Sequence, residues 1–195
     1  MMEISKEKKE KKKRIVSIWV CILIFIGAFF AGMISKVAIK PAWSTKYTAT
    51  WSEELGTKIT DISYGEANKF DLYLPKDSTK DTYGLVIYLH AGGFTSGDKA
   101  DDENMLAWLC SKGYVAAGIN YTLRTDTNNA SVLSHSNEIK EAIPLVVEEA
   151  KKQGYNIDKM TVAGGSAGHT LAMIYAYRDA KESDRKSTRL NSSHS

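Results

Sequence analysis

The first pattern along the chain is an unbroken apolar run. Residues 15–35, IVSIWVCILIFIGAFFAGMIS, carry no charged side chain. As a helix they reach about 30 Å, the thickness of a bilayer core. A buried helix of a soluble domain rarely extends this far without a polar face. The run is also longer than the apolar core of a cleaved signal, about 7–15 residues. The pairs near its end, Phe29 with Ala31 and Met33 with Ser35, fit a small-residue cleavage site poorly. The segment therefore reads as an uncleaved transmembrane signal-anchor.

Past residue 57 the period changes. Residues 58–64 and 69–74 predict two strands of a hairpin turning at 65–68. GLVIYL at 84–89, YVAAGIN at 114–120 and KMTVA at 159–163 are short continuous apolar runs, the signature of strands buried on both faces. Helical stretches alternate with them. One covers 101–112 and ends at Gly113. A second covers 129–153, with Ile139, Ala142, Ile143, Val146, Val147 and Ala150 on one stripe and Pro144 expected to kink or restart it. A third covers 166–178. This alternation predicts an α/β domain, a mostly parallel sheet with helices on both faces, preceded by one transmembrane helix. Residues 36–56 form a linker whose Trp43, Tyr47 and Trp51 suit either a membrane interface or packing on the domain.

Charge sharpens the layout. The 195-residue chain has a formal charge of +3. Residues 1–14 contribute six lysines and Arg14 against three glutamates, a net of +4, so the remainder is close to neutral. The basicity is a terminal tag rather than a nucleic-acid-binding face. By the positive-inside rule it stays cytoplasmic and the rest faces outward, a single-pass membrane protein. Two cysteines, Cys21 in the apolar run and Cys110 in the first amphipathic helix, provide no disulfide framework and no zinc-ligand spacing. Cys110 reads as a small core residue. Nothing indicates a metal or organic cofactor, and the oligomeric state cannot be read.

Two glycine-rich loops follow buried strands. The later, Gly164-Gly165-Ser166-Ala167-Gly168, matches G-x-S-x-G between a strand and a helix, the context of a nucleophile elbow. The turn is tight, so small residues must flank the serine. The following helix N-terminus presents free N–H groups and a positive dipole end, which favour a developing oxyanion. The earlier loop, His90-Ala91-Gly92-Gly93-Phe94, is similar to the HGGG motif that supplies backbone N–H groups to an oxyanion hole.

Together these residues resemble an α/β-hydrolase of the esterase/lipase group, related to hormone-sensitive lipase and bacterial feruloyl esterase-like proteins. Supporting pieces are Asp71-Leu72-Tyr73-Leu74-Pro75, Ser96-Gly97-Asp98-Lys99 after the first loop, and Asn120-Tyr121-Thr122-Leu123. The resemblance spans residues 57–178. It implies Ser166 as nucleophile and the N–H groups of Gly92, Gly93 and Ala167 as oxyanion hole. Gly164 and Gly168 shape the elbow, and His90 orders its own loop. Ala91 stands where the family usually has glycine, which is tolerable at negative φ.

No histidine qualifies as triad base. The fold orders its triad as serine, acid, histidine, and His90 precedes the serine. His135, at the start of a helix, reads as a solvated or capping residue, and His169 sits beside Ser166 on the same helix. His194 follows too soon, and Asp179 and Asp184 read as helix-end charges. The layout is then a tag at 1–14, an anchor at 15–35, a linker at 36–56 and the N-terminal part of a hydrolase domain at 57–184. Residues 185–195, RKSTRLNSSHS, lack apolar periodicity and resemble translated sequencing adapter; the alternative is a genuine polar tail.

The expected function is hydrolysis of carboxylic esters through an acyl-enzyme on Ser166, inactive in this chain for want of triad acid and histidine. The expected partners are a small-molecule ester and, through the apolar helix, a membrane. Alternatives are an exopeptidase of the same fold and a non-catalytic binding module.

Overall fold

The computed structural model describes residues 2–38 and 46–179, in two compact units that divide after Lys46. Trp43, Asp184, His194 and residues 185–195 lie outside the described residues.

The first unit is helix α1, Met2–Ala38. Its stretch Glu10–Ser35 is long and apolar enough to cross a membrane, a property shared with signal sequences near an N-terminus. Its apolar side chains, Leu23, Phe25 and Ile34 among them, are exposed.

The second unit is built on a five-stranded sheet in the order β1-β2-β4-β3-β5. The strands are β1 (Gly56–Tyr64), β2 (Asn68–Pro75), β3 (Tyr83–Leu89), β4 (Val115–Ile119) and β5 (Ile157–Gly164). The sheet is mixed: β1 with β2 and β2 with β4 pair antiparallel, while β3 pairs parallel with both β4 and β5. The tight connection between β1 and β2 forces their antiparallel pairing. Strands β3, β4 and β5 are separated by helices long enough for parallel crossovers. Among the described residues β5 is an edge strand, and Asp158, Lys159, Met160 and Thr161 on it are exposed.

Helices cover both faces. Helix α2, Glu103–Ser111, follows a short 3₁₀ turn at Lys99–Asp102. It packs Leu106 and Cys110 against Tyr73 and Ala116. Helix α3, Val132–Lys152, puts Ile139, Ala142, Ile143 and Val146 into a larger core with Leu72, Leu85, Ile87 and Ala117 on the opposite face. Leu171 and Ala172 of α4, Ala167–Ile174, join that same core, and a π turn over Tyr175–Asp179 follows. Alternation along β2 (Leu72 to one face, Tyr73 to the other) divides the two cores, as strand geometry demands. A fully buried Leu or Ile in either core contributes about 1.5–3 kcal/mol.

Four local expectations change. The run at 159–163, expected to be buried on both faces, forms β5 with Lys159, Met160 and Thr161 exposed, because among the described residues it is an edge strand. Helix α3 starts at Val132 because Ser131 caps it: Ser134 N–H donates to Ser131 Oγ at 3.2 Å, and Ser131 N–H donates to Ser134 Oγ at 2.8 Å. The helix continues through Pro144 without restarting. Pro144 lies on the exposed side of the helix, so its ring and its missing N–H face away from the core. The linker residues Tyr47 and Trp51 pack on the domain. Tyr47 meets Trp108 edge-on at 5.2 Å, and Trp51 meets Tyr73 at 5.3 Å. Lys76 N–H donates to Leu55 O at 2.9 Å, tying the same segment to the end of β2.

Candidate active site

The topology itself makes a crevice. From β3 the chain passes to α2 on one face, and from its neighbour β5 it passes to α4 on the other. Adjacent parallel strands whose loops part to opposite faces leave a cleft at their carboxyl ends. The register aligns Leu89 with Gly164, so both glycine-rich loops start at the same level.

Ser166 stands at the turn from β5 into α4 with φ 45° and ψ −109°, a conformation that costs a non-glycine residue about 1–3 kcal/mol. Close approach holds it there. A Cβ on Gly168 would lie 2.0 Å from the Leu89 carbonyl oxygen, and one on Gly164 would lie 2.4 Å from the Gly168 carbonyl carbon. Only hydrogen fits at either position. Gly165 N–H donates to Leu89 O at 3.2 Å, and Gly168 N–H closes the turn onto Gly165 O at 2.8 Å. Ser166 is left exposed at the mouth, while Ala167 behind it is buried.

The loop after β3 is as tightly wound. Gly92 adopts φ 125°, where a Cβ would sit 1.9 Å from Ser96 O. Its carbonyl accepts from Thr95 N–H at 3.1 Å, from Ser96 N–H at 3.0 Å and from Ser96 Oγ at 3.0 Å. Gly93 follows at φ 60° and Phe94 at φ 68°. Among the described residues no hydrogen bond occupies the N–H of Gly92, Gly93 or Ala167. Ala91 is not among the positive-φ residues, so its methyl is accommodated.

A polar network pins the far end of this loop. Asp98 caps the 3₁₀ turn, accepting from Ala100 N–H at 2.8 Å and from Asn120 Nδ2 at 2.7 Å. Asn120 Oδ1 accepts from Lys99 N–H at 2.6 Å. The Lys99 ammonium reaches into the sheet, 3.2 Å from both Asp71 Oδ1 and Asp61 Oδ1. Burial alone would lower the lysine's pKa, but hydrogen bonds and charge from Asp61 and Asp71 outweigh it and the pKa is raised. Burial would likewise raise that of Asp98; the Ala100, Asn120 and Lys99 interactions reverse it and hold the carboxyl below its ordinary range. Lys99 holds the exposed Asp61 carboxyl down in the same way. Asp61, at φ 57°, sits where the β1/β2 register shifts, a bulge that turns it toward the lysine.

A family model described as BD-FAE matches residues 70–195, more than half of the chain. This chain belongs to the BD-FAE family. Over 123 residues, 62% of its length, it is 28% identical to kynurenine formamidase of Salmo salar, covering 39% of that protein. Over 118 residues, 60% of its length, it is 26% identical to ethyl acetate hydrolase of Pseudomonas putida, covering 36% of it. It thus spans well under half of these relatives. Among solved structures it shares its fold with esterase B of Lactobacillus rhamnosis at a TM-score of 0.57 and 21% identity, covering 83% of this chain and 52% of that one.

Beneath the first loop of this BD-FAE domain lies an aromatic cluster that pattern reading missed. The His90 ring stacks on Tyr121 at 4.3 Å, and Tyr121 donates its hydroxyl hydrogen to His90 O at 3.0 Å. Phe94 stacks on His135 at 5.5 Å with an interplanar angle of 9°. Tyr121 and His135 meet at 5.3 Å. His135 is therefore fully buried, not solvated or capping; Ser131 is the cap. His90 Nδ1 lies 2.7 Å from Ala91 O. His169 is exposed, and among the described residues no histidine or carboxylate is hydrogen-bonded to Ser166. Position on the α3 stripe, four residues before Ile139, was the signal that could have placed His135 inside; its polar type hid it.

Proposed function

We propose that the BD-FAE domain hydrolyses carboxylic esters with Ser166 as nucleophile. The observation that carries the reading is the strained, exposed Ser166 after β5, level with the loop after β3 whose Gly92 and Gly93 N–H groups take no hydrogen bond among the described residues. Attack of Ser166 Oγ on the ester carbon forms the acyl C–O bond and moves the carbonyl electrons onto oxygen. The N–H groups of Gly92, Gly93 and Ala167 receive that oxyanion. Collapse breaks the ester C–O bond and expels the alkoxide, which takes the proton released by the Ser166 hydroxyl and leaves as alcohol; water then attacks the acyl-serine, gives one proton back to Ser166 Oγ and leaves a carboxylic acid.

His90 and Ala91 shape the donor loop in this proposal, and Gly164 and Gly168 hold the elbow. The layout in this reading is a basic cytoplasmic tag at 1–14, a membrane anchor at 15–35, a linker at 36–56 and an extracytoplasmic hydrolase segment from 57. Protease protection in sealed vesicles tests the orientation: digestion of the hydrolase segment from the cytoplasmic side would reverse it.

The chemistry is tested by exposing the chain to a fluorophosphonate and locating the adduct by mass spectrometry. Modification at Ser166 and none in Ser166→Ala supports the enzyme. A folded chain left unmodified supports a non-catalytic module. A second bond class is favoured by the likeness to a formamidase. Matched assays with an aryl ester and a formanilide separate ester from amide preference.

A further inference from the structure

Phe94 is an aromatic residue in a left-handed conformation, φ 68°, directly after the two proposed donors. Such a backbone is strained for any residue with a side chain and persists only where its surroundings hold it. Two contacts do so. Arg124 N–H donates to the Phe94 carbonyl at 2.7 Å, and the Phe94 ring lies nearly parallel to the His135 ring. His135 stands on the first turns of the capped helix α3, a rigid support.

We propose that His135 is a positioning residue for the 92–97 turn, and that its ring holds Phe94 in place only while it is uncharged. This rests on the reading of Gly92 and Gly93 as oxyanion donors for its catalytic consequence, not for its structural content.

The surroundings of His135 leave a charge on the ring uncompensated. The residue is fully buried, and neither Nδ1 nor Nε2 has a hydrogen-bond partner of ordinary geometry. Burial lowers its pKa, and Glu138 on the same helix and the Thr122 backbone oppose that only in part. The Glu138 carboxylate is already committed, since Oε2 accepts from Thr122 N–H at 2.7 Å and from Asn68 Nδ2 at 3.1 Å. From the β4–α3 loop the facing group is Tyr121, a neutral phenol pushed up to about 12 by burial, with His90 on its far side. From the β3–α2 loop it is Phe94, which carries no charge.

Protonation therefore favours conformations in which the ring reaches water and the Phe94 stack is broken. A histidine in the open form titrates near its ordinary value of 6.5. Below that pH the population of open turns grows by up to about tenfold per unit. Above it the turn stays closed.

Hydrogen exchange of the whole chain in detergent micelles, followed by mass spectrometry and corrected for intrinsic rates, reads this directly and needs no catalysis. In the native chain, protection of residues 92–97 falls about tenfold between pH 7 and pH 5. In His135→Phe, which keeps a ring to stack but cannot titrate, protection matches the native value at pH 7 and is flat with pH. In His135→Ala the turn is deprotected throughout, while β3 and β4 stay protected. A pH slope that survives in His135→Phe assigns the titration to another group and overturns the proposal. So does a native turn whose protection ignores pH, or a native-like turn in His135→Ala. Should His135→Ala fail to fold, the comparison with His135→Phe decides alone. Absence of a fluorophosphonate adduct would count against the hydrolase reading and leave these exchange results intact.

Discussion

Tyr121 holds His90 twice, stacking its ring on the imidazole at 4.3 Å and donating its hydroxyl to the His90 carbonyl at 3.0 Å. One side chain from the loop after β4 thereby fixes both the backbone and the side chain at which β3 ends.

Tyr121→Phe removes the hydrogen bond and keeps the stack, leaving a buried carbonyl unpaired at a cost of about 1–3 kcal/mol. Tyr121→Ala also opens a cavity and costs about 3–5 kcal/mol. Urea denaturation checks both: the midpoint falls in that order, with an unchanged m-value in Tyr121→Phe.

Two glycines should separate by mechanism. Gly168→Ala drives a methyl to 2.0 Å from the Leu89 carbonyl, backbone that cannot yield while β3 and β5 remain paired. Its loss of stability exceeds about 3 kcal/mol. Gly93→Ala meets nothing within 4 Å and suffers only its φ of 60°. It costs about 1 kcal/mol and leaves a folded chain. Thermal unfolding followed by circular dichroism distinguishes them; equal losses would contradict the geometry.

Ser166→Gly should stabilise the fold. It relieves a strain of about 1–3 kcal/mol and gives back about 0.5–1 kcal/mol through the greater freedom of glycine in the unfolded chain. Ser166→Ala, still confined to φ 45°, gains nothing from that relief. Differential scanning calorimetry would show a raised Tm for glycine alone, the mark of a residue held in a strained turn at some expense in stability.

Lys99→Met strands Asp71, whose side chain is 3% exposed, beside an apolar group. The loss is about 3–5 kcal/mol, and Asp71→Asn in the same chain recovers part of it, with a coupling of about 0.5–3 kcal/mol in the double-mutant cycle. The pair also shapes the acid limb of stability. Lys99 holds the Asp61 carboxyl below its ordinary 3.8, so the folded form binds that proton less readily than the unfolded one. The resulting stabilisation is present above 3.8 and is lost as pH falls through the lowered value. In Lys99→Met that part of the pH dependence should flatten.

What could be read in advance followed from local rules. The runs at 84–89, 114–120 and 159–163 became β3, β4 and β5 because continuous apolarity has few other uses in so short a span. The two glycine loops were legible because close approach admits only one residue type. Pairing was not legible: nothing in β2 announces that it lies antiparallel to β4, since partners are chosen by the whole sheet. The burial of Asp71 and of His135 was missed for a common reason. Each occupies a position that its periodicity marks as buried, and each is a polar residue made tolerable by a partner far away in sequence, Lys99 for one and the Phe94 and Tyr121 rings for the other.

The contact between Gly168 and the end of β3 also sets an order of events in time. The elbow is shaped by the Leu89 and His90 carbonyls, which precede it by most of the domain's length. Contacts so distant along the chain form only after the intervening loop has closed, and they form slowly. A nascent polypeptide that has already emerged past Ser166 carries the motif in its primary structure yet has no elbow. The strained turn at Ser166 arises only as β5 zips onto β3, so its shape waits on that pairing.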